Sequence, residues 1–430
     1  MTLQKRCQSI HDIPVTSKHL SRYSFAQPVT RSFGAEVEVE GKRLVTAASN
    51  DFLGLSHDPR IREAASSALR RWGSGPGGSR LLNGNMSLHE QLEEHLASLY
   101  GKRGAVLYTT GFLALLGTII YSPTPRDVVL CDAGASPVIR ECCRVSNAGM
   151  VCCPHGDMQA LRAELARQAE ASPEANLFYV CEGVNVLTGE TADYLPELAA
   201  LKNEFPQLFL LVDESYGLGA IGPDGKGLAA SLGLAREMDF ILGTFDTALS
   251  SLGGFVVSDE TDALYFLKHN AKSLVFSAAL PAGNAAAALA ALDILEREPE
   301  RVARFQAHTS RAREQYESLG ISLGGSVSPV LCLPFGSEQA AIDFSEGLFQ
   351  RGVYAPPTLF PLVPRGRALI RTSFMSIHEE GQVDRVLSAV SELAENNEAR
   401  EYAWAGLEGM EFPVPDSASG ALSHLGEGAR

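Results

Sequence analysis

Phe240-Ile241-Leu242-Gly243-Thr244-Phe245-Asp246-Thr247-Ala248-Leu249-Ser250-Ser251-Leu252-Gly253-Gly254-Phe255-Val256-Val257 is the stretch on which the reading of this chain turns. Two short apolar runs, 240–242 and 255–257, flank a segment of small residues, hydroxyls and glycines. Apolar runs of this length bounded by turn residues suit buried strands. The segment between them suits a backbone that must approach a bound anion or cofactor closely.

Outward from there the same texture recurs. Residues 105–108, 127–130, 177–180 and 208–212 are further short apolar runs, and helical spacing over 158–168 and 195–205 separates some of them. Strands alternating with helices imply βαβ units and a mostly parallel sheet, hence an α/β fold with its chemistry in loops at the strand C-terminal ends. Helical patterns also span 59–72 and 88–100, around a glycine-rich loop at 73–84. Residues 1–46 read as an N-terminal arm with a short strand pair at 35–39 and 43–46, and 47–281 as the large domain. One long helical region, 282–318, leads to a smaller α+β domain that ends near 395. It holds strands 329–333 and 369–374, helices 338–351 and 379–394, and a proline-rich loop at 355–364. Residues 396–430, rich in Glu, Gly, Ser and Pro, read as a polar tail.

The bulk numbers narrow the function. A chain of 430 residues exceeds one compact core. A formal net charge of -15 argues against nucleic acid or an anionic membrane as the main partner. No apolar run is long enough for a transmembrane helix, and the first residues lack a signal peptide's apolar core. Eight cysteines, several in apolar runs and none in a Cys-x-x-Cys or a His cluster, suit buried thiols in a reducing cytoplasm and no metal site. Peripheral attachment to a membrane stays compatible with this pattern.

Four features carry chemistry. Thr109-Thr110-Gly111-Phe112 is a strand end opening a helix, able to cradle a phosphate with backbone N–H groups, or simply a turn. The glycine-rich loop, with Ser79, is open to the same two readings. Asp213, in Val212-Asp213-Glu214-Ser215-Tyr216, is a carboxylate at the end of an apolar strand, costly unless partnered, or else a cap on the next turn. Arg371, in Leu369-Ile370-Arg371-Thr372, suits bidentate capture of a carboxylate, with an ordinary ion pair as the alternative.

Together these motifs resemble the α-oxoamine synthases, within the fold-type I enzymes that use pyridoxal phosphate (PLP). The lysine loop of that family reads roughly Thr-x-Ser-Lys-Ala-x-Gly-Ser-x-Gly-Gly, and Thr244, Ala248, Ser251, Gly253 and Gly254 fall on it. The likeness extends over about 49–393 through 75–84, His155-Gly156-Asp157, Glu182-Gly183, Gly189, Asp213-Glu214, 222–227 and Phe276-Ser277-Ala278-Ala279-Leu280-Pro281. Ala355-Pro356-Pro357-Thr358 and Leu369-Ile370-Arg371 are similar to the serine palmitoyltransferase branch, where the Pro/Thr loop moves on substrate binding and the arginine holds the substrate carboxylate.

The resemblance implies a fold-type I transferase: a large domain with a seven-stranded-type, mostly parallel sheet, plus a smaller C-terminal α+β domain. It implies a decarboxylative condensation of an acyl thioester, on coenzyme A or a carrier protein, with an amino acid. It places Gly111, Phe112, Gly134, Asp213, Tyr216, Thr244, Thr247 and Ser277 around PLP, and Arg371, Asn50 and Ser79 around the substrate. The departures fall on the cofactor. Thr247 stands at the lysine position, Gly134 where a ring-stacking histidine is usual, Tyr216 where a second histidine is usual, and Val186 near a usual serine. A threonine hydroxyl forms no Schiff base. The set is similar to the lysine-less first long-chain-base subunit of serine palmitoyltransferase, which pairs with a lysine-bearing homologue. That implies a half-site subunit in a dimer with an interface active site, PLP being held by the partner, held non-covalently, or absent from this chain. A self-sufficient enzyme working without the covalent anchor, in a dimer with itself, and a binding or regulatory protein on the same fold stay open as alternatives.

Overall fold

Three sheets organise the chain. The computed structural model describes residues 27–323 and 327–395; the expected tail, 396–430, and the first part of the expected arm lie outside the described residues. Strands β1 (Val29–Ser32), β2 (Glu36–Val39) and β3 (Lys42–Thr46) form an antiparallel ribbon. β3 is joined in parallel by β12 (Val353–Tyr354), so residues 29–46 form one sheet with the C-terminal part of the chain.

The large sheet has seven strands in the order β4, β10, β9, β8, β7, β5, β6. Its members are β4 (Gly104–Tyr108), β5 (Val128–Asp132), β6 (Gly149–Cys153), β7 (Leu177–Glu182), β8 (Leu208–Asp213), β9 (Phe240–Thr244) and β10 (Gly254–Ser258). All neighbours are parallel except β10, which runs against both β4 and β9. This is the fold-type I architecture that the family likeness implies. The strands read as continuous apolar runs because both faces are covered. Leu130, Tyr179, Leu210 and Ile241 point into one core, and Val129, Phe178, Leu211 and Leu242 into the other. β6 is the strand the sequence pattern missed: Gly149-Met150-Val151-Cys152-Cys153 is apolar over 150–153 but lies at the sheet edge, partly exposed.

The expected single helical region over 282–318 is two helices, Ala282–Arg297 and Pro299–Ser318. Pro299 has no N–H to donate and disfavours helical geometry in the residue before it; Glu298 sits at φ -125 and ψ 60. The second helix leads to β11 (Leu331–Pro334), β13 (Pro357–Thr358) and β14 (Leu369–Thr372), an antiparallel sheet ordered β11, β14, β13. The helices Glu338–Gln350 and Glu380–Glu395 cover it around Leu333, Phe335, Phe344 and Ile370. Among the described residues no helix is long and apolar enough to cross a membrane.

The candidate active site

The loops after β4, β5, β7, β8 and β9 converge with residues from the sheet of β11, β14 and β13. Asp213 ends β8 and is buried. Its Oδ1 accepts from Ser215 N at 2.9 Å and Ser215 Oγ at 2.5 Å. Burial pushes its carboxyl up to about 6, against those two bonds, and the nearby Asp246 charge pushes the same way. Glu214 beside it is lifted to about 7 by burial, although Leu228 N and Ala229 N donate to it. Glu182, opposite Asp213 in the sheet register, is lifted to about 8 by burial and by the Asp213 charge.

Thr247, at the lysine position, is buried and turned into the protein. Its hydroxyl donates to Ser215 O at 2.9 Å. The ammonium groups of Lys102, Lys202, Lys226 and Lys268 are paired elsewhere, with Asp259, Asp239, Asp224 and Glu93. Lys42 reaches Gln350 Oε1 at 3.2 Å.

Gly111 and Phe112 open the helix Gly111–Tyr121, which Thr110 caps by accepting from Leu113 N. The first two N–H groups of that helix have no intrahelical acceptor. Thr244, at the end of β9, lies against this opening: a Cβ on Gly111 would stand 2.7 Å from Thr244 Cβ. A Cβ on Gly254 would stand 2.5 Å from Gly111 Cα and 2.6 Å from Thr110 O, so glycine alone allows the approach. Ser277 reaches the same rim, 3.2 Å from Thr109 Oγ1. Thr244 Oγ1 donates to Asp246 Oδ1 at 2.7 Å, which brings a carboxylate to the cup.

Gly134 follows β5. A Cβ there would meet His155 Nδ1 at 2.5 Å, so the imidazole of His155 fills the room a side chain at 134 would need. His155 Nδ1 pairs with Asp132 Oδ1 at 2.7 Å, which raises the imidazole above its ordinary value. Asp132 in turn is pulled below the usual carboxylate range: burial opposes this, and His155 and Tyr194 outweigh burial.

Arg371, on β14, places its guanidinium carbon 5.3 Å from the centre of the Tyr216 ring. Its Nε is buried with no hydrogen-bond partner among the described residues. Tyr216 also meets Phe52 edge-on at 5.9 Å, beside the turn that holds Asn50. That turn is fastened to the 244–254 loop by Ser250 Oγ donating to Asp51. Ser79 is buried in the glycine-rich loop, which joins the 276–281 segment where Ala279 N donates to Gly78 O at 3.0 Å. Sequence reasoning missed Ser215, His155 and Asp246 as members of the site. Two of them had a signal: His155 lies in the His155-Gly156-Asp157 segment of the family likeness, and Asp246 occupies the serine of the family's lysine loop.

PLP asks a site for a carboxylate at its ring nitrogen, an anion cup, a flat side chain over the ring and a lysine. Asp213 fits the first, and the opening of the Gly111–Tyr121 helix has the form of the second. Thr247 supplies no lysine, Gly134 supplies no stacking group, and Asp246 brings a negative charge to the cup. The residues therefore do not fit PLP as this chain's own covalently anchored cofactor.

Comparison with known proteins gives this site its family. The sequence model of aminotransferase class I and II matches residues 42–390. Serine palmitoyltransferase of Sphingobacterium spiritivorum is 36% identical over 365 residues, covering 85% of this chain and 90% of that protein. 8-Amino-7-oxononanoate synthase of Lysinibacillus sphaericus is 33% identical over 359 residues, covering 84% and 91%. Among solved structures, serine palmitoyltransferase of Sphingomonas wittichii superposes with a TM-score of 0.81 at 26% identity, over 90% of this chain and 95% of that one. A serine palmitoyltransferase variant solved with PLP gives 0.83 at 28%, over 91% and 96%.

Proposed function

Because the chain belongs to the aminotransferase class I and II family, in its α-oxoamine synthase branch, we propose that it is the half of a two-chain synthase that does not carry the cofactor lysine. The complex condenses an acyl thioester, on coenzyme A or a carrier protein, with an amino acid and releases CO2. A homologous subunit supplies the lysine and the PLP. PLP in that setting provides the electron sink that lets the amino acid lose its carboxylate.

Thr247 carries this reading. It is not a lysine swung aside: its hydroxyl is buried and donates to Ser215 O at 2.9 Å. This chain's own residues bind and orient. Arg371, with an unpartnered buried Nε, is free to hold a substrate carboxylate through its fork of N–H donors, and the Tyr216 ring beneath keeps the guanidinium aimed. Cys131, Cys142, Cys143, Cys153, Cys181 and Cys332 are buried thiols, in keeping with a cytoplasmic protein.

One observation favours a second reading. Asp213 keeps its buried place at the end of β8, which suits a self-sufficient enzyme binding PLP without a covalent bond. Co-expression with a lysine-bearing homologue from the same genome separates the two. The half-site reading expects a stable 1:1 complex and amino-acid-dependent release of the thiol from the acyl donor only when both chains are present. Full turnover by this chain alone supports the second reading. Failure to assemble, with no turnover, leaves a binding or regulatory protein on this fold.

A further inference from the structure

We infer that Asp246 closes this chain's own anion cup to a phosphate monoester dianion, as a second block independent of the missing lysine. The inference rests on the family reading of the cup, not on the existence of a partner chain.

The geometry is local. Thr244 presses on Gly111 at the opening of the Gly111–Tyr121 helix, where backbone N–H groups are available for an anion. The Thr244 hydroxyl is one donor such an anion would use. In this chain its proton goes to Asp246 Oδ1 at 2.7 Å, with Gly253 O as a further acceptor at 3.2 Å. Asp246 N faces back to Thr244 Oγ1 at 3.4 Å, so the two side chains form a closed turn. The carboxylate thus takes the hydroxyl that would face a phosphate and sets a like charge beside the place where the phosphate would lie. It is also close enough to Asp213 to raise that buried carboxyl. Two anions already share the pocket before any ligand arrives, and the Arg371 guanidinium lies over the Tyr216 ring.

The family pattern has serine at this position, a neutral donor. Replacing a donor by an acceptor of negative charge reverses the sign of the contact. A carboxylate set beside a dianion, in a cup open to water on one side, weakens binding by on the order of tenfold or more. The penalty attaches to the phosphate alone. A pyridine ring reaching Asp213 without a phosphate feels only the weaker coupling of Asp246 to Asp213, the smallest of the influences on that carboxyl.

That difference defines the experiment. The purified chain and its Asp246→Ser and Asp246→Asn variants are titrated with PLP, with pyridoxal and with inorganic phosphate, followed by quenching of intrinsic fluorescence. Thermal midpoints check that the variants are folded; Asp246 is exposed in this chain, so both substitutions leave the core untouched. The expected result is PLP binding tightened by about tenfold or more in both variants, phosphate following PLP, and pyridoxal unchanged within about twofold. PLP affinity that does not change, or that changes in step with pyridoxal, overturns the inference. The outcome is distinct from that for the half-site reading. A complex that assembles and turns over while Asp246→Asn gains nothing removes only this inference. A gain without any assembly leaves this inference standing and removes the two-chain synthase.

Discussion

Replacing Glu182 by Gln should change how the stability of this protein responds to pH. Glu182 ends β7 inside the sheet, and its Oε2 accepts from Ser136 N at 2.7 Å and from Asn185 Nδ2 at 3.3 Å. Burial, first, and the Asp213 charge, second, hold its carboxyl at about 8 instead of the ordinary 4.5. A carboxyl raised on folding keeps its proton in the folded state while the unfolded chain has already lost it. The stability this gives is fully present below the unfolded value of 4.5 and is lost as pH rises toward about 8. The loss runs at about 1.4 kcal/mol per pH unit, so between pH 5 and pH 8 the wild type gives up about 4 kcal/mol through this one group. Gln does not titrate. Both Glu182 oxygens face N–H donors, Oε1 toward Val186 N at 3.4 Å, so an amide NH2 there meets a donor. That costs about 1 kcal/mol at every pH. Asp213 and Glu214 titrate in both proteins and largely cancel in the difference. The variant is therefore slightly less stable than wild type at pH 5 and more stable by about 3 kcal/mol at pH 8, a gap of several degrees in the thermal midpoint. Thermal unfolding followed by far-ultraviolet circular dichroism at pH 5, 6.5 and 8 reads this directly. Parallel curves for the two proteins would refute the reasoning.

Other positions give sharper structural tests. Gly254→Ala drives a Cβ to 2.5 Å from Gly111 Cα and 2.6 Å from Thr110 O, all rigid backbone, and should cost about 3 kcal/mol in urea unfolding. Ser250 has a left-handed φ of 48 where the family loop has glycine, and its hydroxyl holds Asp51. Ser250→Ala keeps the strain and loses the bond, so it should be less stable than Ser250→Gly by about 1 kcal/mol in the same assay. In the assembled complex, Arg371→Lys should raise the KM for the amino acid by on the order of a hundredfold with a smaller change in kcat, because an ammonium lacks the bidentate fork.

Much of the fold was legible from Phe240 to Val257 outward. Runs such as 208–212 sit between two covered faces and so read as continuous apolar strands, and the break at Pro299 shows how one residue without an N–H divides an otherwise helical pattern. β6 escaped although 150–153 is apolar, because half of that run is the Cys152-Cys153 pair, which reads as thiols before it reads as a strand. In the site, Asp213 and Arg371 were visible as charges on apolar strands, and Thr244 and Thr247 as positions of the family's lysine loop. Their relations were not. Nothing in the sequence says that Thr247 turns inward onto Ser215, that His155 occupies the space beside Gly134, or that Asp246 takes the Thr244 proton. Those contacts join segments that are far apart in the chain or depend on rotamers, and periodicity encodes neither.

The central claim is that this chain shapes a synthase but does not anchor its cofactor. The most direct measurement is PLP absorption in the visible range, followed by borohydride reduction and mass spectrometry of each chain, for this protein alone and in complex with its lysine-bearing homologue. The account predicts that reduced PLP is found on the homologue and never on this chain, whether alone or in the complex. A reduced PLP adduct on any lysine of this chain would contradict it.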